Sequence, residues 1–163
     1  MEINKAYFED ALDANNPESL AKALAHNESW KDEPLTNGFP PVIMAAYYNR
    51  VAVLEVLHAH GANLDVADRQ GNSALMGAVF KGHGDTVTWL IKQGANVNHQ
   101  NPQGASALSF AYDYGHQGIF EELLQAGADA TLTNPAGNSI AKHVRAQGPA
   151  WADTLLEKYG AYS

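Results

Sequence analysis

A chain of 163 residues is long enough to bury one sizeable core and short for two domains. With 45% hydrophobic and 17% charged residues, the composition is that of a folded globular protein and excludes disordered or fibrous classes. A formal charge of -8 disfavours nucleic acid and makes a protein partner, more easily a basic one, the expected match, while the absence of cysteine removes disulfides, thiolate metal sites and thiol catalysis.

The N-terminal stretch MEINKAYFED is charged and lacks the apolar core of a signal peptide. No apolar run reaches the roughly 18 residues that a membrane span requires, so a cytoplasmic location away from membranes is expected. Ile3, Tyr7, Phe8, Ala11 and Leu12 fall on one helical face. The stretch NNPES then reads as a stop and restart, with Asn16 as N-cap, Pro17 at the first helical position and Glu18 in the first turn. Leu20, Ala21 and Leu24 form the apolar face of the second helix. Residues 1–36 hold eight acids against three lysines. Residues 1–34 are therefore expected to be a helix pair that closes one end of a larger stack, its outer side kept polar.

From Gly38 onward the sequence repeats itself. Gly38, Gly71, Gly104 and Gly137 are spaced by 33 residues, and so are Gly61, Gly94, Gly127 and Gly160, each followed by alanine. A fixed period of this length implies a stacked architecture of supersecondary units. The registers divide the chain into repeats at 35–67, 68–100 and 101–133, with a closing repeat at 134–163. In the clearest copy, residues 71–103, Ser73 caps a helix through Ala74, Leu75, Ala78 and Val79, which Gly82 and Gly84 break. Val87, Leu90 and Ile91 line one face of a second helix, and Gly94 sits where a helix end wants positive φ. The remaining ANVNHQNPQ suits an extended segment and turn. Helices of two turns are too short to stand alone, so their burial must come from neighbouring copies.

These motifs resemble the ankyrin-repeat family, whose pattern runs Thr-Pro-Leu-His-x-Ala, then Gly-His, then Leu-Leu-x-x-Gly-Ala-Asp-x-Asn. The chain matches with SALMGA, Gly82-His83 and LIKQGANVN, and again with SALSFA, Gly115-His116 and LLQAGADAT. The copy beginning at Gly38 is looser, and the last, with GNSIA and LLEKYGA, is the loosest. The motif histidine is absent, because Ile43, Met76, Ser109 and Lys142 occupy its position. The resemblance implies an all-α ankyrin-repeat solenoid of stacked helix-turn-helix pairs with connecting β-hairpin loops, covering the whole chain as one domain.

No catalytic, metal or cofactor site is expected. His58 and His60 are two residues apart and cannot share a helical face, and no histidine has carboxylates at ligand spacing. His83 and His116 fall on the Gly-His turn, where the resemblance implies structural hydrogen bonds. Glu121 and Glu122 read as a solvated outer face, and Asp68, Asn101 and Asn134 as turn starters that bond the backbone just ahead. GANVNHQNPQG follows a helix instead of opening one and is no phosphate cradle.

The aromatic residues are different. The register places Tyr47-Tyr48, Phe80-Lys81, Asp113-Tyr114 and Ala146-Gln147 at one shared pair of positions. In the resembled family these end the inner helix and face the concave groove. Tyr112, one place earlier, replaces a usual alanine. Phe39 and Asn72 follow the first glycine of their hairpins. Phe39, Tyr47, Tyr48, Phe80, Tyr112 and Tyr114 could thus form one band across adjacent repeats, while Phe110 and Phe120 read as core. Contiguous exposed aromatics mark interaction surfaces. The expected function is non-catalytic protein binding through this band, with Lys81 and Asp113, and through hairpin tips at Thr36-Asn37, Arg69-Gln70 and Pro102-Gln103. A sharper version is an inhibitor or immunity protein that covers a partner enzyme or toxin. The rival from another class is a small-molecule-binding protein or enzyme using the groove. The chain alone is expected to be monomeric.

Overall fold

Helix starts follow from the side chains that satisfy their free N–H groups. Asn4 accepts from the Tyr7 amide at 3.0 Å and opens α1 (Lys5–Asp13), and Asn16 accepts from Ser19 at 3.0 Å to open α2 (Pro17–His26). Ser73, Ser106 and Ser139 do the same for α5 (Ala74–Lys81), α7 (Ala107–Asp113) and α9 (Ile140–Gln147). The other five helices are α3 (Pro41–Tyr47), α4 (Val51–Ala59), α6 (Gly84–Lys92), α8 (Gln117–Gln125) and α10 (Ala150–Lys158). The computed structural model describes residues 1–163, as ten α-helices and one short 3-10 turn at Glu28–Lys31. They form five helix pairs in an all-α repeat solenoid.

Both glycine series share one physical cause. Gly71 and Gly104 end the hairpin turns with φ of +82° and +80°, and Gly61 and Gly94 follow helix ends with φ of +83° and +84°. Positive φ is open to glycine at little steric cost. At Gly104 crowding adds to this, since a Cβ there would lie 2.4 Å from the Asn134 Cα. Gly84 belongs to the first turn of α6 and does not lengthen the break, which Gly82 makes alone with φ +71°.

The tips are loops rather than strands. In each, the turn-starting residue is bonded to the residue four later, as from the Asp68 amide to the Asn72 carbonyl at 2.9 Å, and one isolated bridge joins Ala67 and Ser73. The ladder stops there because side chains take over. Asn101 Nδ2 donates to Asn72 Oδ1 at 2.9 Å, His99 Nε2 donates to the Gly71 carbonyl at 2.7 Å, and Gln100 Nε2 donates to the Thr133 carbonyl at 3.1 Å. These bonds tie hairpin to hairpin where the missing motif histidine would otherwise help. In its place, Met76 and Ile43 are buried and Ser109 completes a reciprocal capping box with Ser106.

A single apolar core runs the length of the stack, from Phe8 and Leu12 at one end to Ala152 and Leu156 at the other. In α2 it is Ala23, not Ala21, that is buried beside Leu20 and Leu24. Inner helices α3, α5 and α7 pack directly on one another. α9 stands farther from α7, and Tyr112 lies in that wedge, its ring 6.0 Å from Trp151, 6.3 Å from Phe120 and 5.7 Å from His143. The C-terminal pair is held instead through α10, where Lys158 Nζ and Tyr159 Oη reach Glu121 at 2.7 and 2.8 Å.

Candidate functional site

The inner helices end on one edge, and the ends carry rings because the register repeats. Tyr47 closes α3 and Tyr48 is its C-cap, Phe80 lies in the last turn of α5, and Tyr114 is the C-cap of α7. The Tyr47 and Phe80 rings stack at 6.4 Å with 15° between planes, and Phe80 meets the edge of Tyr114 at 4.9 Å. Tyr48 meets Tyr47 edge-on at 5.2 Å. A continuous row of four rings thus crosses three repeats, with Tyr48, Phe80 and Tyr114 exposed by 49%, 38% and 54%. Offset and edge-on geometries at these spacings are the favourable ones for aromatic pairs.

Below the row lies a groove of about 540 Å³ between α3 and α5. Its floor is apolar, with Met44, Met76 and Gly77, and its hairpin end holds Phe39, Gln70 and Asn72. The Tyr47 ring lies over Gly77, where an added Cβ would meet Tyr47 Cδ2 at an ordinary 3.7 Å with nothing else close by. Phe110, read from sequence as core, is half-buried and lines this groove, 6.3 Å from Phe80. Its signal was present: residues 44, 77 and 110 share the register position three before the ring row, hence the same helical face. Phe120 is fully buried.

Two cations lie over the rings. Lys81 Nζ sits 5.1 Å from the Tyr47 ring centre, and Arg50 Cζ 4.8 Å from that of Tyr48. Arg50 is also tied to Asp13 at 2.8 Å and to the Leu12 carbonyl at 3.3 Å. Arg69 is exposed at the hairpin end, its guanidinium against Gly38. Neither Lys81 nor Arg69 pairs with a carboxylate. Asp68 is spent on its own turn, Oδ1 accepting from the Gln70 and Asn72 amides at 2.9 and 3.0 Å.

Tyr112 and Asp113 lie elsewhere. Tyr112 is half-buried in the wedge before α9, because the larger ring at an alanine position fills the space to Trp151. Asp113 is on the same side, in a polar cavity of about 350 Å³ with Ser109, Asp129, Asn138 and His143. Desolvation pushes its carboxyl above the usual range, with His143 acting in the opposite direction. No three His, Asp or Glu side chains converge as a metal site would require, and no helix is long and apolar enough to cross a membrane.

Of the turn histidines, His83 bonds the Tyr47 carbonyl at 3.0 Å, while His116 packs over Gly82 and stacks on Tyr114 at 6.5 Å. In the first repeat Asn49 supplies the left-handed residue, with φ +58°, and Arg50 takes the histidine's place by reaching back to Leu12. Glu121, read from sequence as solvated, is instead the half-buried acceptor for Lys158 and Tyr159. These two hold its carboxyl below the ordinary range.

Comparison with known proteins gives a consistent result. Residues 9–101 match the family profile described as ankyrin repeats, three copies. The chain is similar to a crystal structure of an ankyrin repeat domain from Acinetobacter baumannii AYE, with TM-score 0.81 and 31% identity over 92% of this chain and 79% of that one. No curated protein sequence matches significantly.

Proposed function

The chain belongs to the ankyrin-repeat family, whose members are generally protein–protein interaction modules, and on that premise we propose that it binds a protein partner through the groove between α3 and α5 and the ring row above it. The observation that carries this reading is the four-ring row itself. Tyr48, Phe80 and Tyr114 are exposed side by side on adjacent repeats although each could have been small and polar at no cost to the core. Large rings cost little side-chain entropy on binding, and rigid helices hold them where a partner must meet them. Arg69, Gln70, Asn72 and Lys81 form the polar rim.

The groove holds no convergent acid, base or nucleophile, so its effect is exerted by covering, positioning or tethering the partner. The chain acts as a monomer, and its -8 charge favours approach of a partner whose body is basic. Placing a photo-crosslinking phenylalanine derivative at Tyr48 or Tyr114 tests this in the native host. A shared crosslinked protein from both positions, absent when the probe replaces Glu55 on α4, is expected. Equal labelling from all three positions contradicts it.

A further inference from the structure

Beyond α1, which stacks on α3 and carries three acids and one base, charge in this solenoid is sorted by face. The outer helices α2, α4, α6, α8 and α10 carry seven acids and three bases, whereas the inner helices α3, α5, α7 and α9 carry three bases and one acid. That one acid, Asp113, lies in the neighbouring polar cavity and not in the groove. No acid of α1 lines the groove, and two of them are engaged: Asp13 by Arg50 at 2.8 Å, and Glu9 by the Thr36 amide at 2.8 Å. Asp68 lines the groove but accepts from its own turn. Lys81 at the ring end and Arg69 at the hairpin end thus remain as unpaired cations at either end of an aromatic channel. They lie at opposite ends of α5, whose eight residues rise roughly 12 Å.

We propose that the groove receives an extended acidic segment of the partner, with one aromatic or large aliphatic side chain seated among Phe39, Tyr47, Phe80 and Phe110 and carboxylates on either side meeting Arg69 and Lys81. This rests on the protein-binding reading above. The outer carboxylates do not oppose it at contact range, because salt screens them within about 8 Å under physiological conditions. Net charge governs the approach of the partner's body, while the two free cations govern what lies in the groove. A basic segment would instead place its ammonium groups beside Arg69 and Lys81, with Asp68, whose Oδ1 already accepts from two amides of its own turn, as the one carboxylate lining the groove.

Random dodecapeptide display tests the proposal against the intact chain, the double variant Arg69→Glu/Lys81→Glu, and the double variant Tyr47→Ser/Phe80→Ser. Peptides enriched on the wild type should combine Asp or Glu with Trp, Phe or Leu. As synthetic probes they should bind the charge-reversed chain on the order of tenfold more weakly, and the serine variant should retain none. Reselection on the charge-reversed chain should favour Lys and Arg. Enriched peptides that need Tyr47 and Phe80 but carry no acidic excess, or ignore the charge reversal, overturn the acidic segment and leave protein binding standing. An absence of any peptide that depends on Tyr47 and Phe80 overturns the groove reading itself and this inference with it. Self-association of the unliganded chain by sedimentation, abolished in the charge-reversed variant, would identify the occupant as a second copy and also overturn the proposal.

Discussion

His83 Nε2 donates to the backbone carbonyl of Tyr47 at 3.0 Å, so the turn of one repeat fastens the ring-bearing end of the previous inner helix. The bond joins scaffold and groove, and its loss leaves a helix-end carbonyl without that partner. His83→Ala should lower stability by about 1–2 kcal/mol in urea titration. His116→Ala, which removes packing on Gly82 but no such bond, should cost less.

Gly77 separates binding from folding. A mid-helix glycine is less favourable than alanine by about 1 kcal/mol, and an added Cβ at this position meets only Tyr47, at an ordinary 3.7 Å. Gly77→Ala should therefore hold or raise the denaturation midpoint. Gly77→Leu should fill the groove floor, with partner binding lost and the fold retained. Loss of folding in both variants would show that the groove floor is packed core.

Tyr112 should behave in the opposite way to the exposed rings. Its ring fills the wedge against Trp151 and Phe120, so Tyr112→Ala should cost roughly 2–3 kcal/mol through the cavity left behind, with capture of the crosslinked partner unchanged. Impaired capture at unchanged stability would return Tyr112 to the binding surface.

Gly104 and Gly127 both have positive φ, +80° and +91°, but only Gly104 is crowded. Alanine at either should cost about 1 kcal/mol for the backbone conformation. Gly104→Ala should cost clearly more, because its Cβ would press on the Asn134 backbone. Equal urea midpoints for the two variants would refute the hairpin-on-hairpin packing.

The C-terminal edge carries a titratable latch. Desolvation, and then the bond to Asp153, push the Tyr162 hydroxyl up from 10.0 to about 12. The raised folded-state value means its contribution is fully present below pH 10 and is lost as pH climbs toward 12. In Tyr162→Phe, the fall in stability across that alkaline window should be shallower than in the wild type. Identical slopes would show that the latch does not form.

Much of the scaffold was legible because it is local. Asn16, Ser73 and the glycine series act on the backbone within a few residues, so spacing alone reveals them. The exposed rings followed from register, since Tyr47, Phe80 and Tyr114 fall at or beside one repeat position. Phe110 and Tyr112 are both half-buried against the core, and how far each is covered could not be read from register. Each depends on what the adjoining repeat offers, a glycine below Phe110's groove or a tryptophan beyond Tyr112, and that is a tertiary fact. The bonds of His99, Asn101 and Gln100 across hairpins, and of Glu121 to the last helix, likewise join residues about thirty or more positions apart.

On the proposed function, Tyr47, Tyr48, Phe80 and Tyr114 face a partner rather than the core. Replacing all four with serine and measuring thermal unfolding alongside binding of the crosslinked partner tests it most directly. Binding should be abolished while the melting midpoint falls by no more than about 5 °C. A fall of about 15 °C in the isolated protein, or undiminished binding, would contradict it.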